Sequence, residues 1–187
     1  MILHKFRDLQ VNPNTRVLFL GTFNPDILDE QNPATYYYGR QRNQFWELLP
    51  TTLGSPSLQN ATDQEKMDYM NANDFGLADL IYSLDGIPEG QEGSFKDTFI
   101  DQYVHEWFDT PALIRSLPKL EKIFVTRISF TQNVPNMQQR VQKVYDQLPT
   151  TVSMCGLITP GRAYRNMVVK GAQWNRALND NEYRLDL

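Results

Sequence analysis

Four apolar residues in a row, Val17-Leu18-Phe19-Leu20, lie between the turn formers Asn12, Pro13 and Asn14 and a glycine, Gly21. A half-exposed strand would alternate apolar and polar side chains. An unbroken short run bounded by turn signals reads instead as a strand buried on both faces, the kind found in parallel sheets. Residues 122–126 repeat the signal, and residues 151–158 repeat it with partial alternation.

The intervening segments read as helices. Asn43 opens a helical segment over 44–49 that Pro50 ends. Residues 63–72 form a second, with Asp63 as N-cap and Glu65 in its first turn. A short helix is expected over 77–82, then a loop marked by Gly86, Pro88, Gly90 and Gly93. Residues 97–116 read as largely helical with a break at Pro111, and Pro118 stops them. Residues 134–148 form a helix with Pro135 in its first turn, and a final helix lies around 174–179. Strands alternating with helices give an α/β fold: a three-layer sandwich whose central, mostly parallel sheet of about four strands carries helices on both faces. In such sheets ligands bind beyond the carboxyl ends of the strands. The loops after Leu20 and after Ile158 are therefore where chemistry is expected.

The 187 residues suit one domain, 1–187, long enough to bury a core. A single cysteine, Cys155, excludes an internal disulfide, a cysteine-ligated iron–sulfur cluster and a multi-thiolate zinc site, and suits a reducing compartment. No apolar stretch has the length of a membrane span, and no apolar signal region follows Met1. The expectation is a soluble cytoplasmic monomer that needs no cofactor, metal or membrane.

The net charge of −4 is unevenly placed. Residues 63–109 hold 12 acidic side chains against Lys66 and Lys96, whereas residues 110–187 hold 11 basic and 5 acidic ones. A polyanion binder normally carries a basic excess. For this chain to bind nucleic acid, the acidic block must face away from the strand ends.

Three segments carry chemistry. In Gly21-Thr22-Phe23-Asn24-Pro25 the glycine lets the chain turn and a ligand approach, Pro25 stiffens the exit, and Asn24 offers a donor and an acceptor for a water or a base edge. Taken alone, the segment also reads as an ordinary strand-ending turn. Tyr36-Tyr37-Tyr38-Gly39-Arg40-Gln41-Arg42-Asn43-Gln44-Phe45-Trp46 joins aromatic faces, which stack on bases, to arginines, which pair with phosphates or base edges. Phe45 and Trp46 read as core; Tyr38 reads as core or as stacking platform. Thr159-Pro160-Gly161-Arg162-Ala163-Tyr164-Arg165 is a strand-end loop tipped with arginines that could enter a groove, or a solvated turn. Asp26, Asp29 and Glu30 read as a solvated loop, with metal binding or a water-orienting role for Asp26 as the other options. His4 and His105 fall in no motif.

In order, these segments resemble the uracil-DNA glycosylase superfamily, closest to its hypoxanthine-DNA glycosylase and mismatch-specific uracil(thymine)-DNA glycosylase branches. Gly21-Thr-Phe-Asn24-Pro25 resembles the first motif. Tyr38-Gly39 followed by Asn43-x-Phe45-Trp46 is the most specific part. Phe75-Gly-Leu-Ala-Asp79 resembles a Gly-Ile-Ala-Leu-type helix, Gly93-Ser-Phe95 a later stretch, and Thr159-Pro160-Gly161-Arg162 a closing motif. Asn24 matches the mismatch-specific branch rather than the hypoxanthine branch, and no histidine stands in the closing motif.

The resemblance implies hydrolysis of the N-glycosidic bond of a flipped-out deaminated or mismatched base, uracil or hypoxanthine, with damaged DNA as partner. It implies that Asn24 and Asn43 are catalytic and that Gly21, Thr22, Phe23, Pro25 and Tyr38 bind the base. It also implies that Arg40, Arg42, Thr159, Pro160, Gly161, Arg162 and Arg165 meet DNA. No lysine stands in a motif, so no Schiff-base lyase step is indicated. The open alternatives are an inactive nucleic-acid-binding module of the same fold and a hydrolase of free nucleosides or nucleotides.

Overall fold

The computed structural model describes residues 1–27, 34–40, 42–91, 93, 95–161, 166–180 and 185–187. In chain order come β1 (Ile2–Leu3), β2 (Val17–Gly21), α1 (Phe45–Thr52), α2 (Asp63–Ala72), β3 (Phe75–Asp79) and β4 (Ile81–Leu84). They are followed by α3 (Asp97–Ile100), a 3-10 turn (Asp101–Tyr103), β5 (Val104–Trp107), α4 (Thr110–Arg115) and β6 (Lys122–Val125). The chain ends with α5 (Pro135–Asp146), β7 (Ser153–Gly156) and α6 (Met167–Asn175), which runs into a π-helical turn (Arg176–Asp180).

Strands β3, β2, β6 and β7, in that order, form an all-parallel sheet. Side chains alternate across it. Phe19, Leu77, Phe124 and Cys155 stand on one face and pack with Phe45, Trp46, Leu48 and Leu49 of α1, Met70 of α2 and Trp174 of α6. Leu18, Leu20, Ile123, Val125 and Met154 stand on the other, against Ile114 of α4 and Met137, Val141 and Val144 of α5. Both faces are apolar because both are covered, which is why the strand sequences do not alternate. The three-layer α/β sandwich is as expected.

Several boundaries differ from the sequence reading. Residues 77–82 are not helical. Phe75 through Asp79 pair with Val17 through Gly21, and Ile81–Leu84 starts a second, antiparallel sheet in the order β1-β4-β5. Tertiary pairing decides a short apolar run whose period is too brief to read. Residues 97–116 contain only two short helices, because residues 104–107 pair with β4; Pro111 starts α4 rather than breaking a helix. Pro50 lies inside α1. The carbonyl it cannot serve, that of Trp46, accepts instead from the Leu58 N–H at 2.8 Å. The N-cap of α2 is Thr62, not Asp63, in a reciprocal capping box with Glu65. The last helix begins at Met167, well before 174.

Phe124 is 1% exposed and stacks on Phe19 with ring centroids 5.6 Å apart. Phe124→Ala is expected to lower unfolding free energy by about 3–5 kcal/mol, measured by urea denaturation.

Candidate active site at the strand ends

The parallel register sets Gly21 beside Asp79 at the carboxyl ends of β2 and β3. Alternation turns Asp79 to the same side of the sheet as Leu77, toward the aromatic layer that holds Phe6, Tyr37 and Tyr38. Its carboxylate is buried. A Cβ on Gly21 would overlap Asp79 Oδ1 and stand 2.5 Å from the Tyr38 hydroxyl. Gly21 is therefore required less by a turn than by the closeness of these two groups.

Asp79 Oδ2 accepts from Asn24 Nδ2 at 2.5 Å and from His4 Nε2 at 2.6 Å, while Oδ1 has no hydrogen-bond partner among the described residues. His4 is fully buried. It arrives through the N-terminal segment, where Lys5 N–H donates to the Asn24 carbonyl and Asp26 N–H to the Leu3 carbonyl, an isolated bridge of His4 with Pro25. Its Nδ1 accepts from the Phe6 N–H at 3.1 Å, so the ring proton sits on Nε2. Nε2 therefore donates to the Asp79 carboxylate.

Tyr38 has φ 54°, a left-handed backbone uncommon for a side chain this large. Its ring lies flat on Phe45, centroids 4.2 Å apart and planes 8° apart, and its hydroxyl meets Thr126 Oγ1 at 3.3 Å. Tyr38 is thus part of the buried aromatic layer, and stacking on a base would require its other face to be uncovered. Burial, with Asp79 near, pushes its hydroxyl well above the ordinary tyrosine range, so it stays protonated.

Asn43 Oδ1 accepts from the Phe45 N–H at 3.0 Å at the start of α1. Its side-chain oxygen is thus engaged, while among the described residues its NH2 has no hydrogen-bond partner. Gln44 N–H donates to the Pro160 carbonyl at 2.9 Å. The closing segment is held from behind by one face of α6. Lys170 Nζ donates to Gly161 O and Gln44 Oε1, both at 2.6 Å. Gln173 accepts from Ile158 N–H at 2.9 Å, and Trp174 Nε1 donates to Ile158 O at 2.9 Å. Positions 170, 173 and 174 share a helix face.

A cavity of about 530 Å³ is lined among others by Phe95, Asp97, Arg127, Ser129, Ile158 and Thr159, whereas Asn24, Tyr38, Asn43 and Asp79 are not among its lining residues. Asp97 joins it to the first motif, accepting from Thr22 Oγ1 at 3.0 Å and from Arg127 at 2.9 Å. Phe23 and Arg40 both approach Phe95. The structure thus brings Gly21, Asn24 and Tyr38 around Asp79, Asn43 beside the closing loop, and Thr22 and Thr159 to the cavity. Pro25 is buried in the bridge with His4, and Arg42 is exposed. Arg162 and Arg165, and Asp29 and Glu30, lie outside the described residues. Asp26 pairs with Arg7 at 2.9 Å near the surface. Among the described residues no three His, Cys, Asp or Glu side chains are grouped to hold a metal, and no helix is long and apolar enough to cross a membrane.

The sequence reading missed His4, Asp79, Asp97, Arg127 and Lys170. Asp79 was concealed by the helical reading of 77–82, which would have let it face solvent; the signal was a carboxylate set inside Leu77-Ala78-Asp79-Leu80-Ile81. The acidic block does not simply face away, since Asp79 and Asp97 are at the strand ends. Both are hydrogen-bonded to donors there. Other members cap helices: Glu65 in α2, Asp109 in α4, and Asp101, which accepts from the Asn136 and Met137 N–H groups at the start of α5.

No family model matches the chain. Over 94 residues, 50% of its length, it is 32% identical to a hypoxanthine DNA glycosylase of Methanosarcina barkeri (strain Fusaro / DSM 804). It spans 56% of that curated relative. Its fold matches, with a TM-score of 0.61 and 20% identity, a solution NMR structure from Methanosarcina acetivorans described as a candidate uracil DNA glycosylase, covering 98% of this chain and 100% of the other. The chain is similar to the uracil-DNA glycosylase superfamily in sequence and in fold.

Gly21→Ala is expected to cost about 1–3 kcal/mol by overpacking. Gly171→Ala, where nothing lies within 4 Å of a new Cβ in α6, is expected to gain up to about 1 kcal/mol from helix propensity. Thermal unfolding of the two variants side by side checks both signs.

Proposed function

We propose that the protein is a monofunctional DNA glycosylase that hydrolyses the N-glycosidic bond of a flipped-out deaminated or mismatched base, uracil or hypoxanthine. The observation that carries this reading is the hydrogen-bond polarity of its two asparagines. The Asp79 carboxylate can only accept, so Asn24 gives it the NH2 and keeps its carbonyl oxygen for a ligand. Asn43 does the reverse, committing its carbonyl oxygen to the Phe45 N–H and keeping its NH2. An acceptor suits the hydrogens of an attacking water. A donor suits a base oxygen that gains charge as the bond breaks.

In the reaction, water oxygen bonds to C1′ as the C1′–N bond breaks. The electron pair leaves with the base nitrogen, and the proton given up by the water passes through solvent to the departing base, leaving a C1′ hydroxyl and the neutral free base. Asn24 orients the water, Asn43 steadies the departing base, and the face of Tyr38 opposite Phe45, once uncovered, stacks on it. The backbone N–H groups around Thr22 and Phe23 are further donors to the leaving group. Extruding the nucleotide costs least when the base is mispaired or damaged. Both hydrogen bonds of Lys170 hold protein groups, in keeping with hydrolysis without a lyase step. Arg40, Arg42, Arg162 and Arg165 contact the strand backbone, and the closing loop enters the duplex.

Labelled duplexes carrying uracil, hypoxanthine, xanthine or a G·T mismatch, followed by alkali, test this reading. Alkali-dependent strand breaks are expected. They should fall by about 100-fold or more in Asn24→Ala and Asn43→Ala, and duplex binding should weaken steeply with salt. Binding without cleavage would favour the inactive module. Cleavage of free nucleosides with little salt dependence would favour the nucleoside hydrolase, which the net charge of −4 suits.

A further inference from the structure

Asn24 is half-buried, and a terminal amide has two orientations that differ only in which end points at the ligand. Hydrolysis needs one of them. The group that selects it lies on a different strand, and the group that holds that group lies near the N-terminus. We infer that Asp79 and His4 are a positioning dyad for Asn24, fixing both its rotamer and its amide orientation so that the carbonyl oxygen faces the ligand. This rests on the glycosylase reading for its consequence, though not for its geometry.

Three observations carry the inference. Asn24 Nδ2 and His4 Nε2 converge on the same oxygen, Asp79 Oδ2, at 2.5 and 2.6 Å. The carboxylate cannot rotate to offer that oxygen elsewhere, because its other oxygen is packed against Gly21, where even a Cβ would not fit. His4 cannot turn away either, since Nδ1 is held by the Phe6 N–H and the ring is boxed edge-on by Phe23 and Phe108. A flipped Asn24 would set its carbonyl oxygen against a carboxylate oxygen, two acceptors with no proton between them.

The same geometry excludes other roles for the pair. Asp79 Oδ1 is closed off from solvent, so the carboxylate is not placed to take a proton from a water. His4 has one nitrogen donating to Asp79 and the other accepting from backbone, which leaves no route for a proton to pass through the ring. Both residues act through Asn24.

The test is a double-mutant cycle on base release, read with a measurement that does not need activity. Asp79→Asn keeps the shape and removes the charge that selects the amide orientation. Its kcat is expected to fall by about 100-fold, the cost of misplacing a reacting group, with KM for the duplex nearly unchanged. Combining it with Asn24→Ala should give no further loss, since both remove the same function. His4→Gln keeps a donor toward Asp79 and spares the fold should Asp79→Asn not fold; it should show a smaller kcat loss, equally non-additive with Asn24→Ala. A wild-type rate in Asp79→Asn, or losses that multiply, would overturn the inference. Proton–nitrogen NMR of asparagine-labelled protein supplies the second arm, with the Asn24 NH2 signal assigned by its loss in Asn24→Ala. Its protons should exchange slowly with solvent in the wild type and rapidly in Asp79→Asn or His4→Gln. Unchanged exchange would sink the dyad even if the enzyme is active. If the wild type releases no base but the exchange behaves as expected, the glycosylase reading fails and the dyad stands.

Discussion

A charged carboxylate beneath a sheet edge is the constraint around which this site is arranged. Burying a carboxylate without partners costs several kcal/mol even after the protein relaxes, and here two donors reach Asp79. They come from far apart in the chain: His4 from the N-terminal segment and Asn24 from the loop after β2. Gly21 must be glycine because the carboxylate and the Tyr38 hydroxyl occupy the space of its side chain. Tyr38 takes a left-handed backbone, with its ring against Phe45 and its hydroxyl at Thr126. One buried charge thus ties together the N-terminus, the first motif, the tyrosine loop and the end of the sheet.

The second half of the site is assembled beyond the carboxyl end of β7, at the other edge of the same sheet. Lys170, Gln173 and Trp174 turn one face of α6 into a row of polar groups directed at residues 156–161. Gln44 ties the same loop to the start of α1, next to Asn43. Residues outside the motifs, His4 and Lys170, thus help to hold the first and the closing motif. The acidic middle of the chain follows a similar logic. Several of its carboxylates cap the N-termini of α2, α4 and α5 or pair with donors at the strand ends, so a raw charge count says little about the field a ligand would meet.

Much of this was legible from residue order alone. Unbroken apolar runs at 17–20 and 123–125 specified strands buried on both faces, hence a covered parallel sheet. The spacing from Tyr38-Gly39 to Asn43-x-Phe45-Trp46 carried the family resemblance, because local chemistry and local spacing are what a sequence records directly. Phe45 and Trp46 were legible as core for the same reason.

Pairings across the chain were not. Whether 77–82 is helix or strand depended on β2 being available as a partner, and that choice decided whether Asp79 faced solvent or a histidine 75 residues away. The polarity of Asn24 and Asn43, and the need for glycine at 21, likewise follow from neighbours that only folding brings close. The sequence by itself determined the layers and the parallel sheet. Tertiary structure decided which end of each amide is free and which buried charge holds it, because a hydrogen bond's direction depends on the partner, and a partner remote in sequence leaves no local trace.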